Sequence, residues 1–121
     1  MAQHNLLGHQ GEILAKEYLL TKNYTIRDVN YRIGSLELDI VAEKDNWLII
    51  VEVRTRSTDI FISPADTIGI QKIKRLVKAA NAYIKKNNWQ GETRFDIIAI
   101  ISDETGYKIE HIIDAFLAPV S

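Results

Sequence analysis

The sequence contains no cysteine, no long apolar run and, between positions 67 and 91, no acidic residue. Without cysteine the fold can contain neither a disulfide nor a thiolate metal site, and a reducing compartment is allowed. The polar start of the chain lacks the apolar run of a signal peptide, and no segment reaches the roughly 20 apolar residues of a transmembrane helix. We therefore expect a soluble, cytoplasmic protein without a membrane association.

Basic residues are concentrated where acidic residues are missing. The formal net charge of the 121 residues is −1, which gives no overall attraction to nucleic acid. A local basic face can nevertheless bind phosphate, although the solvated face of an ordinary helix has the same composition. Arg56 could likewise bind phosphate or pair with a nearby aspartate. The predicted contacts with a DNA backbone are Arg56, Lys72, Lys74, Arg75 and Lys78.

The remaining composition, 46% hydrophobic and 26% charged, is that of one globular domain. Hydrophobic periodicity predicts helices at positions 8–22 and 68–87. Strand patterns lie at positions 24–30, 36–42, 47–54, 94–101 and 107–113, with an irregular loop at 55–67 and a short tail from 114. The order α-β-β-β-α-β-β combines hairpins with a helical connection. We therefore expect an α/β fold with a mixed central sheet flanked by helices.

Two acidic residues interrupt the apolar strand patterns. Asp39 lies within Leu36–Ala42, and Glu52 lies within Trp47–Arg54. Partly burying a carboxylate costs free energy unless it has a partner, and two adjacent carboxylates repel unless a cation or proton lies between them. The pair therefore indicates a divalent-metal site, although Glu37 or Arg54 could instead neutralise Asp39 without a metal.

Strand alternation predicts which of these side chains share a face. In the second strand, positions 36, 38 and 40 should lie on one face and positions 37, 39 and 41 on the other. In the third strand, Glu52 and Arg54 share a face. We expect that face to point toward the same side as Asp39.

The order and spacing of several short motifs resemble those of a known family. The matching segments cover nearly the whole chain: Gly11-Glu12, Asn30-Tyr31-Arg32, Glu37-Leu38-Asp39-Ile40, Val51-Glu52-Val53-Arg54, Gln71-Lys72-Ile73-Lys74, Arg94-Phe95-Asp96 and His111. Each motif alone is weak, but their combination is specific. The chain resembles the YraN-type proteins, small bacterial proteins of the restriction-endonuclease-like (PD-(D/E)XK) superfamily, which are related to Holliday-junction resolvases.

The resemblance implies a metal-dependent endonuclease that hydrolyses the phosphodiester bonds of DNA, including branched DNA, and that forms a homodimer. Glu12, Asp39, Glu52 and the carbonyl group of Val53 would bind Mg²⁺ or Mn²⁺, since these ions prefer oxygen ligands. The ion would activate water and stabilise charge on the scissile phosphate. Gln71 would orient the water or contact the phosphate.

Arg54 departs from the superfamily pattern, in which this position is usually lysine. Arginine keeps its positive charge and cannot act as a base, but it can bind phosphate through two hydrogen bonds. Two functions therefore stay open. One is an endonuclease in which Asp39, Glu52, Arg54 and Gln71 are catalytic. The other is a catalytically inactive module that binds nucleic acid or a DNA-processing partner.

Overall fold

A computed structural model describes residues 2–57 and 68–116, with side chains from 10 to 56 and from 68 to 116. Its elements are α1 (Ala2–Thr21), β1 (Thr25–Ile33), β2 (Leu36–Lys44), β3 (Trp47–Ser57), α2 (Ile70–Asn87), β4 (Glu92–Asp103) and β5 (Gly106–Ile112). The predicted order of elements is confirmed. The predicted irregular loop begins inside β3, and the rest of that loop and the end of the predicted tail lie outside the described residues.

The five strands form one mixed sheet in the order β1-β2-β3-β4-β5. Neighbours pair antiparallel except β3 and β4, which run parallel and are connected through α2. Asp45 and Asn46 both have left-handed backbone conformations, with φ of 52° and 67°, in the turn between β2 and β3. Two such residues match the strand twist of a tight hairpin. The predicted mixed sheet is confirmed.

The two helices cover opposite faces of the sheet. Ala15 and Leu19 of α1 belong to one buried cluster, and Leu76, Ala80 and Tyr83 of α2 belong to another. β3 contributes to both clusters, with positions 49 and 51 under α1 and positions 48 and 50 under α2. By this alternation the even positions of β3 face α2. Within the described residues, no helix is long and apolar enough to cross a lipid bilayer.

Helix α1 is longer than its periodicity predicts. It begins at Ala2 rather than near Gly8, and it continues through that glycine. One glycine within a helix costs about 1 kcal/mol relative to alanine, which a long helix can tolerate. Glu12 consequently lies in the middle of α1. The favourable interaction of acidic residues with the first turn of a helix therefore does not account for it.

Strict alternation of side chains in β2 is wrong between Asp39 and Ile40. Leu38 packs in the cluster under α2, but Ile40 packs under α1 and Val41 under α2 again. Opposite Asp39, Asn30 of β1 has a left-handed φ of 51°. The backbone pairing of β2 with β3 also ends at Ile40. Strand β2 therefore turns at Asp39, the predicted acidic residue, and separates from β3 there.

Candidate functional site

Four carboxylates gather where β2 and β3 separate. Glu12 comes from α1, Glu37 and Asp39 come from β2, and Glu52 comes from β3. Oxygen atoms of the first three lie within 4.8 Å of one another. The backbone N–H of Val53 donates a hydrogen bond to Oδ2 of Asp39 at 2.9 Å. The aspartate side chain thus takes the place of a backbone partner from β2 and is held against β3.

Glu52 is a buried carboxylate, with only 6% of its side chain exposed. Burial raises the pKa of Glu52 to about 7, and repulsion from Asp39 adds to the rise. Lys72 and Arg54 act in the opposite direction, with Nζ of Lys72 at 3.6 Å and an Nη atom of Arg54 at 3.2 Å from Oε2. These cations reduce the cost of ionising Glu52 but do not cancel it.

The site is reached from both faces of the sheet. Glu12 approaches from α1, whereas Lys72 approaches from α2 on the opposite face. The expectation that Glu52 and Arg54 point to the same face as Asp39 is therefore too simple. The break in alternation after Asp39 and the gap beside β3 allow groups from the two faces to meet. A continuous, regular sheet would have separated them.

Helix α2 brings Lys72, rather than Gln71, to Glu52. Lys72 is 41% exposed and directs its ammonium group inward, whereas the side chain of Gln71 is exposed. The sequence predicted Lys72 only as a contact to the DNA backbone. Its pairing with Glu52 had no sequence signal, because the rotation of a helix over a sheet is set by packing. The predicted catalytic role of Gln71 stays a prediction.

Glu37 belongs to the carboxylate cluster, although the sequence did not predict it as a cation ligand. Its carboxylate joins those of Glu12 and Asp39, and it also pairs with Arg32 at 3.2 Å. The available signal was its position two residues before Asp39, since such residues in a strand share a face. Arg32 is 75% exposed, so solvent weakens its pairing with Glu37.

Apart from Lys72, which pairs with Glu52, the predicted phosphate contacts divide into two groups. Arg54 and Arg56, on β3, each have a buried Nε atom that finds no hydrogen-bond acceptor among the described residues. Buried donors without acceptors cost free energy, and a phosphate oxygen is a suitable acceptor for an arginine. Lys74, Arg75 and Lys78 are exposed on the outer side of α2. Arg54 therefore lies beside Glu52, with Arg56 two residues further along β3, and the second group lies on an open surface.

Together, the fold and the site define an α/β protein in which carboxylates from three elements meet at a gap in a mixed sheet. Residues 11–100 match the family described as "Uncharacterised protein family UPF0102", and the chain belongs to that family. The matched region contains all four carboxylates and Lys72. The family membership indicated by the YraN-type motifs is thereby confirmed.

Relatives of similar length match nearly the whole chain, and each is called a UPF0102 protein. The relative from Christiangramia forsetii is 52% identical over 116 residues, which cover 96% of this chain and 98% of the relative. Those from Bacteroides thetaiotaomicron and Parabacteroides distasonis are 48% identical over 120 residues and 45% identical over 119 residues, respectively. These matches cover 99% of both chains for the former and 98% of both for the latter.

Proposed function

We propose that this protein is a divalent-metal-dependent endonuclease that hydrolyses the phosphodiester bonds of DNA, including branched DNA. The observation that carries the proposal is the meeting of three carboxylates from α1 and β2, within 4.8 Å, beside buried Glu52. Mg²⁺ and Mn²⁺ prefer such oxygen ligands. Ionised Glu52 beside Asp39 also needs positive charge, which a divalent cation would supply. A cytoplasmic location and a homodimer belong to the same proposal.

The donor set fits a divalent cation chemically. Glu12, Asp39 and Glu52 would hold the ion, Glu37 lies beside them, and the carbonyl group of Val53 is the predicted further ligand. When bound, the ion activates water and stabilises charge on the phosphate. The Val53 N–H keeps the Asp39 carboxylate oriented before any ligand arrives, so less ordering is needed on binding.

Arg54 and Lys72 would bind the non-bridging oxygens of the scissile phosphate. Both cationic groups lie within 3.6 Å of Oε2 of Glu52, on the side of α2. Cations aimed at a position where negative charge develops stabilise the transition state without further reorganisation. Because Arg54 stays protonated, its role is to stabilise charge and not to transfer a proton. Gln71 remains a proposed contact at the start of α2.

Replacing Asp39 or Glu52 with alanine should abolish Mn²⁺ binding and DNA cleavage while leaving the fold intact. Each change removes a direct ligand, so affinity should fall by more than the roughly 10–100-fold typical of an outer-shell change. Calorimetry with MnCl₂ measures the affinity, and a panel of linear and branched DNA measures cleavage. Glu110→Ala is the control, because Glu110 is 44% exposed on β5 and pairs with Lys108. Cleavage at the wild-type rate in both variants would contradict the proposal.

A second function is favoured by the ion pairs of Glu52 with Arg54 and Lys72. These cations neutralise the buried carboxylate at least in part without any metal. Such a protein would be a catalytically inactive module that binds nucleic acid or a DNA-processing partner. Wild-type protein that binds no Mn²⁺, and whose DNA affinity is unchanged by a chelator, would favour this second function.

In either function, DNA bound by the protein would lie with its backbone along the outer side of α2. Lys74, Lys78 and Lys85 are exposed and lie on one side of the helix, and we call them the basic ridge. At 1.5 Å per residue the ridge extends for about 16 Å. Lys72, which contacts Glu52, lies two residues before the start of the ridge, at the same end of α2 but on the side that faces the sheet. A strand bound along the ridge would therefore reach the end of α2 that lies nearest Glu52.

Replacing the three lysines of the basic ridge with alanine should weaken DNA binding and flatten its dependence on salt. Each lost phosphate contact reduces the slope of log affinity against log salt by about 0.9, so we expect a change of roughly 2 to 3. Fluorescence anisotropy with a labelled duplex between 50 and 200 mM salt measures the slope. The control replaces Lys16, Lys22 and Lys108, which are exposed on α1, just after it, and on β5. Equal slopes in the two triple variants would exclude the basic ridge as the binding surface.

A further inference from the structure

Helix α1 approaches β3 so closely at Gly11 that a side chain there has no room. A Cβ atom built on Gly11 would overlap with Cγ2 of Thr55. The next nearest atoms, Cγ1 of Ile100 at 3.7 Å and Cβ of Thr55 at 3.8 Å, are at ordinary contact distances. One methyl group of Thr55 is therefore the whole obstacle. Any larger residue at position 11 would require the stiff, β-branched side chain of Thr55 to change its rotamer or the helix and the strand to separate.

This contact lies directly beside the carboxylate cluster. Gly11 precedes Glu12 on α1, and Thr55 lies three residues after Glu52 on β3. The Glu12 carboxylate reaches its neighbours from β2 within 4.8 Å, so a shift of the helix by an ångström is a large fraction of that distance. The spacing of α1 from β3 at Gly11 therefore decides whether Glu12 belongs to the cluster.

We infer that Gly11 is a positioning residue, which holds Glu12 in the carboxylate cluster by allowing α1 to lie against Thr55. The inference rests on the proposed function, because it takes the cluster to be the cation site. Gly11 contacts neither cation nor substrate, and its effect passes through Glu12. Glycine within a helix is intrinsically less favourable than alanine. Its place in the middle of α1 is explained by the close approach.

The test compares Gly11→Ala with a second change that removes the obstacle. In Gly11→Ala, the affinity for Mn²⁺ measured by calorimetry should fall roughly tenfold or more, as for other changes that disturb the orientation of a ligand. Thr55→Ser removes Cγ2 and keeps the hydroxyl group. The double variant Gly11→Ala/Thr55→Ser should bind Mn²⁺ within about twofold of Thr55→Ser alone. If Gly11→Ala does not fold, recovery in the double variant still tests the contact.

A background that lacks the Glu12 carboxylate separates positioning from general damage. Glu12→Gln keeps Asp39, Glu52 and an amide oxygen at position 12, so it should retain weakened binding of Mn²⁺. In this background, adding Gly11→Ala should change the remaining affinity by no more than about twofold, because there is no carboxylate left to displace. Equal losses in the two backgrounds would mean that Gly11→Ala acts on the structure as a whole. That result would overturn the inference, as would wild-type affinity in Gly11→Ala. Gly69→Ala is the control, because nothing lies within 4 Å of a Cβ built there.

Calorimetry on the wild-type protein distinguishes this inference from the proposed function. Wild-type protein that binds no Mn²⁺ overturns the cation site, and the positioning role with it. Wild-type protein that binds Mn²⁺, with Gly11→Ala unaffected, overturns the positioning role alone. If the proposed function and the positioning role are both right, Gly11→Ala should lose cleavage and the double variant should recover it. These changes in cleavage should parallel the changes in affinity for Mn²⁺.

Discussion

Glutamine at position 52 is expected to make the cation-free protein more stable at pH 8 than the wild type. Folded Glu52 keeps its proton up to a pKa of about 7, whereas an unperturbed glutamate loses it near 4.5. Between these values the folded state binds more protons than the unfolded state, so the free energy of unfolding falls as the pH rises. Above pH 7 the full cost of ionisation is present, which is roughly 1 to 3 kcal/mol. The side-chain amide of glutamine carries no charge, so Glu52→Gln avoids that cost.

Urea denaturation in a chelator, at pH 5 and at pH 8, measures this effect as the difference between Glu52→Gln and the wild type. The difference should grow with pH, since other titrating groups are common to both proteins. Lys72 and Arg54 lose their carboxylate partner, but their side chains are 41% and 30% exposed and remain partly solvated. Glu110→Gln makes the same change of charge on β5 and should alter stability by less than about 0.5 kcal/mol. A Glu52→Gln protein less stable than the wild type at pH 8 would contradict the electrostatic account of Glu52.

Addition of Mn²⁺ should reverse the order of stability. A cation at 1,000 times its dissociation constant stabilises the folded wild type by about 4.1 kcal/mol, which exceeds the cost of ionising Glu52, and Glu52→Gln should gain little of this. The same variant should not cleave DNA. In the proposed function, the buried carboxylate would thus lower the stability of the cation-free protein at neutral pH and supply a cation ligand. If Glu52→Gln is more stable than the wild type both with and without Mn²⁺, that result would argue that Glu52 is ion-paired and binds no metal.

Replacing Asp96 with asparagine is expected to cost the protein about 3 kcal/mol of stability at pH 7, because it breaks a buried charge pair. Asp96 is completely buried on β4. It accepts hydrogen bonds from Nε and an Nη atom of Arg94 at 2.8 and 2.9 Å, from His111 Nε2 at 2.7 Å and from the Asp114 N–H at 3.0 Å. Burial opposes ionisation, but these bonds, with His111 and Arg94 foremost, hold the pKa of Asp96 below its ordinary value.

The loss of stability in Asp96→Asn is large because asparagine cannot accept all the hydrogen bonds that the aspartate accepts and carries no negative charge. An ionised carboxylate only accepts, so Nε2 of His111 must carry the proton, and in the neutral ring Nδ1 can accept from the Tyr18 hydroxyl at 3.2 Å. Asparagine would turn an NH₂ group toward one of these donors. It would also leave Arg94, only 18% exposed, without a countercharge. Removing one member of a buried pair is costly because the other charge stays buried.

Urea denaturation at pH 7 measures the loss, with Asp45→Asn as the matched control. Asp45 is exposed in a turn where it has a left-handed φ of 52°, a conformation that asparagine also adopts readily. The sign of the pH effect is opposite to that of Glu52. The contribution of Asp96 is present above the ordinary pKa of 3.8 and is lost as the pH falls through its lower folded value. A loss no larger than that of the control would show that the network does not stabilise the fold.

Helices and strands with a strong hydrophobic pattern were predictable from the sequence. The residues at which they begin and end were less predictable. The apolar run from Trp47 was enough to place β3, but β3 continues to Ser57 without an apolar pattern. Parallel pairing explains the continuation, since Thr55 and Arg56 lie opposite Ile100 and Ile101 of β4. A partner strand more than forty residues away supplies those backbone hydrogen bonds. Local periodicity does not report on such a partner.

The candidate site was predictable to the extent that its residues are unusual in their own segments. Asp39 and Glu52 are prominent because acidic residues are rare within apolar strands. Lys72 is not prominent, since it is one of several lysines on an amphipathic helix. Only the rotation of α2 over the sheet selects it, instead of Gln71, to contact Glu52. Glu12 was indicated by the family motif, and its position beside Asp39 follows from the packing of α1.

The order of helices and strands, the absence of thiol chemistry and the two acidic residues in neighbouring strands could be inferred from the amino-acid pattern. The pattern did not predict that β2 turns after Asp39, that Glu37 and Lys72 join the site, or that Gly11 lies against Thr55. Periodicity within a segment specifies only which side chains share a face. The distance between two faces depends on how side chains far apart in the sequence pack together.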